Sequence, residues 1–340
     1  MMRRRYITIK DIAKALDISV ATVSRALRDT YDVNSQTRQK VLAMANELNY
    51  KPNFNATGLV KRSTHNIGVI IPAITNYYFS TVITGIQEVA KDHGFNLILF
   101  LTNDSPEVEI KIVEDLSVSS LDGILACVSA HENNYAHFIE IIDDGLPVVF
   151  FDRVADNITA SKVMQDDYNG AFAAVQHLID CGYKRIAHIT GPKDLLLTQK
   201  RLSGYEHALK INNLTIDPSL IIHSGFSQAD GISDISLLFA QNTQAPDAIF
   251  AVNDRKGIGA ILALKQKNIL IGKEIGVIGF TNDPICEIIS PTLSTVAEPA
   301  YEIGKTSCSL LLKHINKAAF AAQNVTLSAE LIVRESTQRG

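Results

Sequence analysis

The chain carries two hydrophobic periodicities, and the change from one to the other divides it near residue 65. From Thr8 to Arg28 apolar residues recur at helical spacing: Ile12, Ala13 and Leu16 share one face, then Val23, Ala26 and Leu27 share a second. Asp17, Ile18 and Ser19 lie between them, so the pattern predicts two short helices joined by a tight turn. Thr8 with Asp11 three positions on is a capping-box-like start, and Ser19 suits the N-cap of the second helix. A third helix begins after Asn34, buries Val41, Ala45 and Leu48, and ends before Asn49-Tyr50-Lys51-Pro52. Residues 52–60 predict one more short helix. Gly58 weakens it by about 1 kcal/mol relative to alanine, and nine residues are marginal for an isolated helix, so it is expected to stay disordered until a partner orders it.

Beyond residue 65 the pattern becomes short Val/Ile/Leu-rich runs at 67–71, 97–101, 123–128, 148–151, 185–189, 248–252 and 275–279. Helical stretches separate them, at roughly 79–93, 108–117, 168–181, 199–211, 256–267 and 301–315. Continuous apolar strands alternating with helices predict parallel sheets covered on both faces. The fold class is α/β: an N-terminal three-helix helix-turn-helix unit at 1–51, a hinge helix and linker at 52–65, and a body at 66–340. The body is long enough for two lobes, roughly 66–167 with 297–327, and 168–296 with 328–340.

Charge sharpens this division. Residues 1–65 hold twelve Lys/Arg against five Asp/Glu, a net of +7, while the remainder holds twenty against thirty-one, a net of −11. A basic arm on an acidic body is a nucleic-acid footprint that the whole-chain net of −4 conceals. At the start of the second helix Val20, Ala21, Thr22, Ser24 and Arg25 face outward. Short side chains let a helix sit deep in a major groove, and a guanidinium can contact a guanine edge or a phosphate.

No catalytic signature accompanies the α/β pattern. Gly257-Ile258-Gly259 lacks the third glycine of a dinucleotide loop, there is no P-loop, and His131-Glu132 has no second histidine at zinc spacing. No catalytic residue, metal site or cofactor is expected, and the chain is not read as an enzyme. Cys127, Cys181, Cys286 and Cys308 are widely spaced in apolar surroundings, as buried thiols of a reducing compartment would be. The start, MMRRRYITIK, has no apolar run behind it and no stretch approaches a membrane span, so a cytoplasmic location away from any membrane is expected.

The strings TIKDIAKALDISVATVSRAL, LNYKPN at 48–53 and the segment from Ala56 to Leu59 resemble the LacI/GalR family of transcription regulators. So do IGVIIP, FDR, DDYNGAFAAVQHL, RLSGY, FAVND and IGVIGFTNDP in the body, which is similar to the two-lobed periplasmic sugar-binding fold. The likeness spans essentially the whole chain. It implies a repressor that binds a pseudo-palindromic double-stranded DNA operator as a homodimer, controlled by a small-molecule effector between the lobes, a sugar or sugar derivative by family analogy. Val20, Ala21 and Arg25 match base-reading positions, and Leu59, after Ala56 in the hinge, matches a leucine that wedges into the minor groove. Thr8, Ser19, Thr22, Ser24, Asn34, Thr37, Tyr50 and Asn53 match backbone or minor-groove contacts that set register.

In the body Arg201 matches an effector-clamping arginine whose fork suits a carboxylate, a phosphate or a vicinal diol. Asp166 and Asn253 match pocket positions at strand ends, and Tyr78, Phe79 and Phe226 offer aromatic faces to a sugar ring. Asp152 and Asp254 serve either the ligand or the cap of the following turn. Thr281 stands where many relatives carry an aspartate, with Asn282 or Asp283 as substitutes. A regulator of the same family whose corepressor is a phosphorylated carrier protein is the alternative. A transporter's solute-binding protein would need a signal peptide and no basic N-terminal unit.

Gly58 and Val60 around Leu59 also depart from the family's pattern and weaken the free hinge helix. Hinge ordering then costs this chain more on DNA binding. Gly58→Ala is expected to tighten operator binding, measured by fluorescence anisotropy; unchanged affinity would remove this inference.

Overall fold

The computed structural model describes residues 7–27, 33–50, 63–116, 120–129, 134–316 and 320–339. The chain divides into two compact units, 1–64 and 65–340. The hinge positions Asn53, Ala56, Gly58 and Leu59 lie outside the described residues, as does His131-Glu132.

The first unit is built from α1 (Ile9–Leu16), α2 (Val20–Leu27) and α3 (Ser35–Glu47). Each start is capped. The Thr8 amide and hydroxyl both donate to Asp11 Oδ2, at 2.8 and 2.7 Å, Ser19 Oγ accepts from the Thr22 amide at 3.0 Å, and Asn34 Oδ1 accepts from the Gln36 amide at 2.9 Å. Asp17 ends α1 at φ 53°, the left-handed conformation that a short polar side chain tolerates and that produces the tight turn. Ile12, Ala13, Val23, Ala26, Val41 and Ala45 are buried together, with Leu16, Leu27, Leu48 and Tyr50 packed around them. The helical periodicity thus specified the core of this unit residue by residue.

The body holds two parallel sheets. The strands of the first are β1 (Asn66–Ile71), β2 (Asn96–Leu101), β3 (Gly123–Ala126), β4 (Val148–Phe151), β5 (Ser161–Gln165) and β11 (Asn324–Leu327), in the order β11-β5-β4-β3-β1-β2. All five neighbour pairs are parallel. Alternate residues serve opposite faces: Ile67, Val69 and Ile71 enter one apolar cluster, while Ile70 enters another with Ile124 and Phe150. Helices α4 (Tyr77–Asp92), α5 (Pro106–Asp115), α6 (Ala136–Asp143) and α11 (Ala300–Asn316) accompany this sheet.

The second sheet has the order β7-β6-β8-β9, from β6 (Ile186–Thr190), β7 (Ile221–His223), β8 (Ala248–Ala251) and β9 (Gly276–Ile278), again all parallel. Its helices are α7 (Asp167–Asp180), α8 (Leu196–Ile211), α9 (Gln228–Gln241) and α10 (Asp254–Gln266). A separate antiparallel pair, β10 (Thr295–Ala297) with β12 (Glu330–Ile332), completes this lobe. The chain therefore passes between the lobes three times: from β5 to α7, from β10 to α11, and from β11 to β12. Among the described residues no helix is long and apolar enough to cross a membrane.

Several elements differ from the sequence pattern. Strand β5, SKVMQ, is buried along its whole length despite Lys162 and Gln165; Lys162 is tolerated because its ammonium reaches the Asp156 carbonyl at 2.9 Å. Helix α9 is missed by the apolar pattern because it is rich in polar residues, and α6 because it is short. Helices α4 and α11 meet closely at glycines. A Cβ on Gly85 would lie 2.2 Å from the Tyr301 carbonyl oxygen, and one on Gly304 2.1 Å from that of Val82. Gly304→Ala is expected to destabilise the body by about 2 kcal/mol through overpacking, net of alanine's helix preference, read as a lower urea midpoint.

Candidate functional site

The strand ends of both sheets converge on a cavity of about 380 Å³. Open parallel sheets place ligands at the carboxyl ends of their strands. From the first lobe come Pro72 after β1, Asn103 and Asp104 after β2, Asp152 and Arg153 after β4, and Tyr78 and Phe79 on the first turn of α4. The second supplies Leu197 and Arg201 on α8, Phe226 after β7, Asn253 after β8 and Thr281 after β9, while Glu298 follows β10 on a crossing segment.

Arg201 is at the centre of the floor. Its Nε donates to Asp167 Oδ1 at 2.8 Å, Nη1 to the Val252 carbonyl at 2.5 Å, and Nη2 to Glu298 Oε1 at 2.5 Å, while the guanidinium carbon lies 3.6 Å from the centre of the Phe280 ring. Both acidic partners have side chains at least 96% buried, with exposures of 2% and 4%. Gln165 Nε2 donates to Asp167 Oδ1 at 3.2 Å and to Asp152 Oδ1 at 3.1 Å, and its Oε1 accepts from the Tyr78 hydroxyl at 3.4 Å. One hydrogen-bonded network thus runs from α4 through β5 to α7, α8 and the β10–α11 crossing.

Burial controls the protonation of these groups. It pushes the Glu298 carboxyl up to about 7 against the opposing pull of Arg201, with Asp152 and Asp167 adding to the rise. Burial also raises Asp167, again against Arg201. Arg201 loses stabilisation to burial, but Asp167 and Glu298 outweigh that loss and hold it cationic. Tyr78 is raised well above an ordinary phenol, first by burial and then by Asp152 and Glu298.

Six of the eight expected effector residues, Tyr78, Phe79, Arg201, Phe226, Asn253 and Thr281, line this cavity. Phe226 has Arg153 over its ring at 4.8 Å, so its outward face is already partly engaged. Asn253 caps α10 through the Lys256 amide at 2.9 Å and fixes the Phe226 carbonyl at 3.1 Å. Thr281 is held at φ 131°, a strained value for a β-branched residue at the cleft, while Asp152 at 60° and Asn282 at 62° take the left-handed conformation that short polar side chains tolerate.

The other two expected residues, Asp166 and Asp283, lie outside the lining of this cavity. Asp166 caps α7, accepting from the Asn169 amide at 3.1 Å and its side-chain amide at 2.6 Å, and does not line the cavity. Asp283 caps the short turn Pro284–Glu287 through the Ile285 amide at 3.1 Å. Both carboxylates are held by nearby backbone, the commonest use of an aspartate before a helix. Asp254 is likewise structural, bound by Thr295 Oγ1 at 2.6 Å and the Asp283 amide at 2.8 Å, whereas Asp152 is in the cleft. Sequence reasoning missed Asp104, Arg153, Asp167 and Glu298. The FDR string held Arg153 in plain view, but nothing local to Glu298 points to Arg201, 97 residues away.

In the helical unit Val20, Ala21 and Arg25 are exposed on one side of α2, opposite the buried Val23 and Ala26, and Thr22 and Ser24 are half-buried beside them. Thr8, Ser19 and Asn34 are exposed at helix starts, and Thr37 and Tyr50 are half-buried.

A two-helix element with an exposed face, followed by a two-lobed body with a polar cleft, is the architecture of a DNA-binding regulator. Residues 8–53 match the family model of bacterial regulatory proteins, lacI family, and residues 175–337 match a periplasmic binding protein-like domain. The HTH-type transcriptional regulator DegA of Bacillus subtilis (strain 168) is 32% identical over 97% of this chain and 98% of its own length. Catabolite control protein A of Priestia megaterium is 30% identical over 98% and 99%. The chain belongs to the lacI family and is a DNA-binding transcriptional regulator. Among solved structures, the lac repressor dimer bound to operator and the anti-inducer ONPF shares the fold, with a TM-score of 0.86 at 24% identity over 98% of this chain and 100% of that one. A lacI-family regulator from Enterococcus faecium with bound ribose matches at TM-score 0.70 and 27% identity, over 80% and 98%.

Because the folded state holds a proton on Glu298 up to about pH 7 while the unfolded chain loses it near 4.5, the folded state binds more protons between those values. Stability contributed by this group therefore falls as pH rises through that window. Glu298→Gln removes the titration, so its urea midpoint should fall less than that of the unaltered protein between pH 4.5 and 7.5; parallel changes would contradict the assignment.

Proposed function

We propose that the protein is a repressor that binds a pseudo-palindromic operator as a homodimer, with a small-molecule effector in the cleft setting the balance between lobe arrangements. The observation that carries the DNA role is the face of α2, where Val20, Ala21 and Arg25 are exposed opposite a buried apolar stripe. These three read bases, while Thr8, Ser19, Thr22, Ser24, Asn34, Thr37 and Tyr50 contact the backbone, with Asn53, Ala56 and Leu59 of the hinge completing the set. The effector can shift the equilibrium only by its differential affinity for the two arrangements. Its residues in the cleft are Tyr78, Phe79, Arg201, Phe226, Asn253 and Thr281, joined by Asp152 and Glu298. A carbohydrate suits the mixture of aromatic faces and paired polar groups. The protein acts in the cytoplasm without catalysis, its buried Cys127, Cys286 and Cys308 remaining thiols.

Dimerisation has support in the first sheet. Strand β2 lies at the open edge and exposes Ile98, Leu99 and Leu101, an uncovered apolar edge that a second copy would cover. The relationship to catabolite control protein A keeps a protein corepressor as the second reading. Calorimetry separates the two: sugar binding supports the first, and operator affinity raised only by a phosphorylated carrier protein supports the second.

In vitro selection against random duplexes, followed by genomic footprinting, tests the DNA role. Arg25→Ala is expected to weaken operator binding by about 1–3 kcal/mol and to relax preference at one position of each half-site. Equal loss on all sequences would make Arg25 a phosphate contact. Leu99→Glu should shift sedimentation toward the monomer and lower operator affinity in the same concentration range.

A further inference from the structure

The cleft is expected to accept an effector, but its charge arrangement narrows which one. Every nitrogen of Arg201 is engaged: Asp167 and Glu298 hold two of them and the Val252 carbonyl holds the third, so the N–H groups left over on Nη1 and Nη2 lie beside partners already in place. An incoming phosphate or carboxylate would have to displace one of those acids, leaving it buried without its partner, an expensive outcome. The second cleft arginine is no freer, since Arg153 donates to Asp104 at 2.6 Å and covers the Phe226 ring. With that pair set aside, the cavity above about pH 7, where Glu298 gives up its proton, is lined by Asp152, Asp230 and Glu298 against Arg201 and Arg255, an excess of acidic groups. Arg255, also at the cavity, is exposed, and water screens it.

Glu298 is the member of this set placed to act on ligands. It lines the cavity, whereas Asp167 does not; it sits on the β10–α11 crossing, and Thr281 lines the same cavity. Thr281 bridges Ala297, and Glu298 is the residue that follows Ala297, so the two enter the cavity from adjoining segments.

We propose that Glu298 sets the charge selectivity of the cleft: by pairing with Arg201 it withholds the arginine from anions and offers its carboxylate to hydroxyl or ammonium groups, so the effector is an amine-bearing or neutral polyol and not a phosphate or carboxylate. This rests on the cleft being the effector site. In that arrangement Arg201 holds the Glu298 carboxylate in place, and Asp152 on the opposite lobe adds a second acceptor at the same cavity.

Calorimetry of the full chain at about pH 7.5, above the range in which Glu298 keeps its proton, with matched sets tests this: glucose, glucosamine and glucose 6-phosphate; galactose, galactosamine and galactose 6-phosphate; ribose and ribose 5-phosphate. In the set that binds, the neutral or amino member should bind at least about tenfold tighter than the phosphate, the scale of one unfavourable unit-charge contact. Glu298→Gln should narrow that gap, and Glu298→Asp, which keeps the charge, should preserve it. A phosphate that binds as tightly as its neutral partner in the unaltered protein overturns the selectivity proposal while leaving the cleft as the effector site. Binding of the set with the same gap in Glu298→Gln overturns the role of Glu298. No binding by any member, with operator affinity unmoved by all of them, overturns the carbohydrate-effector reading and the proposal together. The comparison within the unaltered protein stands even if a variant fails to fold.

Discussion

The body depends on one buried guanidinium. Arg201 has no acceptor of its own and cannot shed its charge, so every N–H it carries into the interior must find an acceptor. It finds them on chain segments that are remote in sequence: the first turn of α7, the end of β8 and the crossing after β10. Two of these belong to passages between the lobes. The arginine consequently fastens two of the crossings between the lobes as well as forming part of the cleft floor, and a change in lobe orientation must be accommodated in its hydrogen bonds. A buried ion cluster is weak evidence for stability, because its desolvation offsets its attraction. Its stronger effect is to specify one arrangement among several similar packings.

The acidic neighbours give that fastening its character. Asp152 and Asp167 are linked through Gln165, and Gln165 in turn meets Tyr78 on the first turn of α4. A ligand touching Tyr78 or Asp152 therefore touches a network that ends on the crossing segments. The groups that line the cleft are thus bonded to the groups that hold the crossings between the lobes. The DNA-reading helix needs no such network: a small apolar core and three capped starts suffice to hold α2 with its exposed side turned outward.

What could be read from the chain follows from the range of the interactions involved. Helices α1 to α3 were recoverable because their caps and apolar stripes lie within four residues of one another, and the continuous runs of β1, β4 and β8 were recoverable because both faces of each strand are buried. Strand β5 was not, since the residues that make Lys162 and Gln165 acceptable in a core come from other segments. In the cleft, residue type and likeness to the family located Arg201, Phe226 and Asn253, while Asp166 and Asp283 turned out to cap helices. Glu298 was unreadable for a simple reason: a glutamate before a proline at a helix start has an ordinary local explanation, and only the folded chain brings Arg201 to it.

The placement of β11 has a consequence for how the molecule forms. Its residues, 324–327, complete the edge of a sheet whose other strands all lie before residue 166, and α11 returns to cover the same lobe against α4. During synthesis the first lobe thus waits, with its β5 edge and part of one apolar face uncovered, until most of the second lobe has left the ribosome. Contacts of such sequence separation form slowly and leave sticky intermediates. The lobe that appears first is therefore closed only after most of the other has been made, and its exposure to chaperones or to misassembly is set by the length of the lobe inserted within it.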